Sequence, residues 1–165
     1  MKTFKTFINE EHESPIMLRD DGHYDVHGIT KEHIKWLSTV PEVLAAKGPV
    51  TLQIPQHLSP VPNSLIGPST GHPAVEESQV HYANRGGGRP YDSRMIHGEA
   101  TPSRMLTVIA RPHKDTGKPF LITAFGGTLS PKEVDDPTHT PESKLEAQKF
   151  WADHALLTGS EKGNS

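Results

Sequence analysis

From Val80 to Thr123 the chain collects side chains that together can handle a phosphodiester. His81 can take or give a proton, and Arg85, Arg89, Arg94 and Arg104 offer planar, bidentate donors to phosphate oxygens. Thr123 adds a hydroxyl inside an apolar run. Metal-independent RNA cleavage needs these functions. A base removes the 2′-hydroxyl proton, cations hold the phosphate, and an acid protonates the leaving oxygen. This reading assigns His81, Arg85, Arg94 and Thr123 to catalysis, and Arg85, Arg89, Arg94 and Arg104 to anion binding. It requires His81 and at least two of Arg85, Arg89 and Arg94 to share one cleft.

Charge distribution gives the block its interest. Five of the six arginines lie between positions 85 and 111. Asn84 to Lys118 holds seven basic residues against three acidic ones, a net of +4; because the whole chain carries −3, the remainder carries −7. A cluster of arginines in an acidic chain points to a focused anion site rather than a general DNA-coating surface. The alternative is internal ion pairing with the acidic remainder, and Thr123 is also simply a good strand former.

Other candidate chemistry is weaker. His23 and His27 lie four apart beside Asp20, Asp21 and Asp25. Imidazole and carboxylate can bind zinc, but this spacing converges only on a helix, and Gly22 and Gly28 argue against one. They read as polar surface residues. Gly86-Gly87-Gly88 could cradle a phosphate through backbone N–H groups, yet lacks the Lys-Ser/Thr of a P-loop and reads first as a turn. With no cysteine, disulfides and thiolate metal sites are excluded. No metal and no cofactor is expected.

The elements that must position these residues form a small α+β domain. Of 165 residues, 35 are Leu, Ile, Val or Phe, about a fifth, so the core is small; 29 are Gly or Pro, so the connections are long. Thr30 is a plausible N-cap with Ile29 stapled onto Ile34, followed by an interruption at Pro41. Val50, Leu52 and Ile54 alternate as a strand. Pro55 to Glu77 reads as a long irregular connection, Ser78 to Ala83 as a short strand, and Asn84 to Pro102 as irregular. Arg104 to Arg111 and Phe120 to Phe125, joined by Lys114-Asp115-Thr116-Gly117, predict a central hairpin in a mostly antiparallel sheet. Thr140-Pro141-Glu142 starts a C-terminal helix expected to reach about Leu157. No stretch is apolar enough to cross a membrane.

Two resemblances follow from particular residues. Leu106-Thr107-Val108-Ile109, a turn, and Phe120-Leu121-Ile122-Thr123-Ala124-Phe125 resemble the central hairpin of small toxin ribonucleases of the barnase–colicin–RelE-like group, with Gly126 where that pattern carries Pro. This implies RNA endonuclease activity. The segment Met1–Glu10, MKTFKTFINE, resembles the capsid-targeting leader of internal head proteins of contractile-tailed phages, and Ile8-Asn9-Glu10 is similar to their prohead-protease cut site.

That second resemblance gives the leading expectation. Residues 1–10 would be a removable leader read by the prohead protease and capsid scaffold and cut after Glu10. Residues 11–160 would be one domain, and 161–165 a flexible tail. The product would travel from the virion head interior to the host cytoplasm. There it would bind or inhibit a host protein in defence or regulation, with nucleic acid a further partner and no membrane. The ribonuclease reading stands as the alternative.

Overall fold

The computed structural model describes residues 15–158. The leader segment, with Ile8 and Glu10, and the tail from 161 lie outside the described residues. The fold is α+β, with small sheets, as composition and patterning anticipate. The first sheet has the order β1 (Met17–Leu18), β9 (Pro119–Gly126), β8 (Met105–Pro112), β2 (Gly48–Gln53). The β8–β9 and β8–β2 pairs are antiparallel, and β1 joins β9 in parallel.

One face of this sheet is apolar. Leu106, Val108 and Ala110 from β8, with Leu121 and Ala124 from β9, are fully buried. Three short helices cover them: α1 (His23–Val26), α2 (Lys31–Leu37) and α3 (Pro41–Leu44), contributing Tyr24, Leu37 and Val43. Thr30 caps α2 as expected, its hydroxyl accepting from the His33 backbone N–H at 3.2 Å. The His33 ring returns a bond to Thr30 and reaches the Ser59 carbonyl at 2.7 Å, so this buried histidine is structural.

A second sheet has the order β4 (Leu65–Ile66), β10 (Ala155–Leu157), β6 (Ser93–Ile96), β5 (Val80–Ala83). Helix α4 (Pro141–Trp151), capped by Thr140 with Pro141 in its first turn, packs Ala147 and Trp151 on Leu65, Met95 and Leu156 of this sheet. Strands β3 (Val61–Pro62) and β7 (Pro102–Ser103) form a separate pair.

Three expectations change here. The helix does not reach Leu157. It stops at Trp151, and Ala155-Leu156-Leu157 becomes a buried strand between β4 and β6, where an apolar run gains backbone partners on both sides. Residues 93–96 are likewise a fully buried strand within a segment that reads as irregular. The stretch from Pro55 to Glu77 is not unbroken loop, since it contains β3, β4 and a short 3₁₀ turn at Pro68–Thr70.

The two large sheets meet at Gly126. Its carbonyl accepts from the Ser64 N–H at 3.2 Å and the Ser64 hydroxyl at 3.0 Å, while the Ser64 carbonyl accepts from the Leu157 N–H at 3.1 Å. A Cβ at Gly126 would overlap the carbonyl oxygen of Pro62. This contact accounts for glycine where the toxin hairpin pattern has proline.

Candidate functional site

A cleft of about 260 Å³ opens between the outer face of the first sheet and the Ser64–Leu65 edge of the second. Strand β9 supplies one wall. The β8–β9 register shifts by one residue: Ile109 faces Thr123, but Ala110 faces Leu121, leaving Ile122 as the extra residue of a β-bulge. Strict alternation would send Ile122 and Thr123 to opposite faces. The bulge lets both line the cleft, together with Phe125.

Tyr24 sets the opposite wall. Its buried ring anchors α1 to the sheet, with the hydroxyl donating to the Leu121 carbonyl at 2.6 Å and accepting from the Arg19 backbone N–H at 2.8 Å. Residues 23 and 27, one helical turn apart, then face the cleft. His23 is buried, and its Nε2 lies 2.7 Å from the Thr123 hydroxyl. The His27 ring packs edge-on to His23 with centroids 4.9 Å apart and tilts against Phe125 at 6.3 Å. The expectation that His23 and His27 are polar surface residues is therefore corrected. Gly22 and Gly28, which read as helix breakers, bracket a single helical turn in left-handed conformations (φ 74° and 72°).

His27 is electrostatically tuned. His27 is pushed down from 6.5 to about 4, first by burial, then by the neighbouring His23 and by Arg85. It is a neutral imidazole at neutral pH.

Three arginines complete the lining. Arg85 is held by Glu133 at 2.9 Å, and Glu133 is itself fixed by the Ser93 hydroxyl at 2.8 Å. The Arg85 Nε is buried and meets no hydrogen-bond partner among the described residues. Arg89 follows three left-handed glycines, Gly86 to Gly88, and folds back so that its Nη1 donates to the Gly86 carbonyl at 2.8 Å. Arg19 donates to the Ile122 carbonyl at 3.3 Å and pairs with Asp21, whose carboxyl that hydrogen bond holds below its usual range.

Comparison with known protein families, curated proteins and solved structures finds no match. The site's own chemistry must carry its interpretation.

The structure thus brings Arg85, Arg89 and Thr123 together and leaves the other sequence candidates elsewhere. His81 stacks on His97 at 4.7 Å on the β5–β6 side and does not line the cleft. Arg94 is buried, paired with Glu77 at 2.6 Å and donating through Nε to the His154 carbonyl at 3.0 Å. Arg104 donates to the carbonyls of Pro55 and Leu58 at 2.9 and 2.7 Å. The arginine cluster therefore divides, with two members in the cleft and two bracing the fold. The His81-centred constellation is not assembled, so the ribonuclease reading fails in the form that required His81: that residue pairs with Met95 of β6 and its ring stacks on His97, outside the cleft lining.

From the sequence, His23 and His27 weigh only as zinc ligands and read as surface residues, and Arg19 draws no weight. The available signal was the i, i+4 spacing with a tyrosine beside it. Among the described residues no group of three or more His, Asp or Glu side chains is placed to hold a metal ion.

Proposed function

We propose that the cleft cleaves RNA by transesterification. The observation that supports this best is the convergence of His23, His27 and the Thr123 hydroxyl with the guanidinium groups of Arg19, Arg85 and Arg89. His27, neutral and desolvated, takes the proton from a ribose 2′-hydroxyl, and the 2′-oxygen attacks phosphorus. His23, oriented by Thr123, delivers a proton to the 5′-oxygen as the P–O5′ bond breaks. The products are a 2′,3′-cyclic phosphate and a free 5′-hydroxyl. Arg85, braced by Glu133, meets the charge that grows on the non-bridging oxygens, and its Nε has no partner among the described residues. When the dianionic transition state forms, its charge draws the His27 pKa back up, strengthening the base as it is needed.

Incubation of the protein with single-stranded RNA tests this. The expected fragments end in cyclic phosphate and 5′-hydroxyl, and His23→Ala and His27→Ala each abolish them. Fragments bearing 5′-phosphate, or cleavage indifferent to both substitutions, would refute it.

A second reading concerns delivery, and the segment Met1–Glu10 supports it. Its Met-Lys-Thr-Phe start and Ile8-Asn9-Glu10 end suit an internal head protein cut by a prohead protease and injected to act on a host factor. Every residue of the cleft lies beyond Glu10, so such processing leaves the proposed chemistry intact. Mass spectrometry of purified virions decides it: a mature chain starting at Glu11 is expected, and absence from particles or an intact Met1 would end the idea.

A further inference from the structure

The geometry points to a second, nucleotide-binding subsite on the β8–β9 hairpin, continuous with the cleft, that stacks a base of single-stranded RNA flanking the cleaved bond. This inference rests on the ribonuclease reading of the cleft. A depression of about 450 Å³ lies beside the hairpin turn, lined by Arg111, Pro112, His113, Lys114, Phe120 and Ile122. Ile122 also lines the cleft, so the two hollows share a wall. The bulge that turns Thr123 into the cleft keeps Ile122 facing the same way, and alternation along β8 places Ile109 in the cleft and Arg111 in the depression. From Thr123 to Phe120 is roughly 10 Å along the strand. A track of that length takes more than one nucleotide of an extended strand.

The lining suits that occupant. The Phe120 ring is half-buried and braced edge-on by His113 with centroids 5.4 Å apart, so it is held rigid. Rigid aromatic faces beside cations are how single strands are bound without regard to sequence. Arg111 and Lys114 are exposed and form no ion pair among the described residues, unlike Arg85 and Arg94. Lys118 adds charge at the same turn and forms no ion pair among the described residues. Unpaired cations beside a fixed ring are idle in the protein alone and useful to a phosphate with a base attached.

The test measures binding without chemistry. Fluorescence anisotropy follows a 2′-O-methyl single-stranded RNA of about 12 nucleotides, which cannot be cleaved. Arg111→Ala with Lys114→Ala is expected to weaken binding about tenfold and to reduce the slope of log affinity against log salt by about 1.4. Phe120→Leu keeps apolar packing but removes the stacking face, and should weaken binding about tenfold, the low end for one lost base stack. Both variants should still cleave a dinucleotide as the unaltered protein does. Unchanged affinity in both variants, no binding by the unaltered protein, or equal competition by polyglutamate would overturn the subsite. Failure of the cleavage reading looks different: no RNA is cut, while the anisotropy responses persist.

Discussion

Acid should destabilise this protein through one imidazole, and the effect can be isolated. In the folded chain His27 titrates near 4, held there by burial, by His23 and by Arg85; unfolded, it returns to about 6.5. Between those values the unfolded state binds a proton that the folded state refuses. Folding free energy is therefore complete above pH 6.5 and is lost as pH falls through that window toward 4. The full interval corresponds to at most ~3.4 kcal/mol, and solvent screening at a ring that is only partly buried brings it to about 1–2 kcal/mol. Urea unfolding from about pH 7 to about pH 4 measures it. His27→Gln should flatten the acid limb by that amount, so that stability relative to the unaltered protein rises by about 1–2 kcal/mol from about pH 7 to about pH 4. An NMR titration of the His27 ring should have its midpoint near 4, moving upward in Arg85→Ala as one repelling charge leaves. In the same protein kcat/KM should rise with pH as the free His27 loses its proton. A midpoint near 6.5, or parallel stability curves, would refute the argument and remove His27 from the role of a desolvated base.

Other substitutions probe the framework around that pair. Thr123→Val removes the hydroxyl 2.7 Å from His23 Nε2 at nearly constant volume; RNA cleavage should fall at least about tenfold, with about 1–3 kcal/mol of stability lost from the buried ring left behind, read from initial rates and urea midpoints. Gly126→Ala forces a methyl group onto the Pro62 carbonyl where the sheets join, and urea unfolding should show a loss of about 3 kcal/mol or more. Glu133→Gln keeps an acceptor for Ser93 but removes the charge that holds Arg85; kcat should drop several-fold while circular dichroism stays unchanged. Thr140→Ala removes the α4 cap and should cost about 1 kcal/mol by the same unfolding assay.

Much of the fold is legible in the sequence where one local signal dominates. The hairpin follows from two apolar runs around Lys114–Gly117, and the caps at Thr30 and Thr140 follow from their own hydroxyls. Strands β6 and β10 are not legible in this way. Ser93-Arg94-Met95-Ile96 carries a buried arginine whose neutralisation by Glu77 depends on the fold, and Ala155-Leu156-Leu157 continues a helical pattern until two strands claim its backbone. The site divides similarly. Thr123 stands out as a hydroxyl in an apolar strand, and Arg85 and Arg89 as part of a local cluster. His23 and His27 become site residues only because Tyr24, through Leu121, docks their turn on a strand about a hundred positions away. Composition offers no means of telling His23 from His33, which is equally buried and serves a helix cap.

The cleft's charge explains why such a site should prefer an anion to solvent. Three guanidinium groups and two imidazoles face one volume, and the described carboxylates offset them unequally. Asp21 partners Arg19 and Glu133 partners Arg85, whereas Arg89 has only the Gly86 carbonyl and forms no ion pair among the described residues. Positive charge is thus left over, and burial of His27 keeps it from adding more near neutral pH. A phosphate entering the cleft gains Arg85 and Arg89 together, and because only the folded chain assembles them, binding and folding are coupled. Inorganic phosphate at about a hundred times its dissociation constant should then raise stability by ~2.7 kcal/mol by mass action. The same addition should shift the His27 titration upward, since the charge that depresses it is neutralised. A stabilisation that leaves His27 unmoved would place the anion outside the cleft.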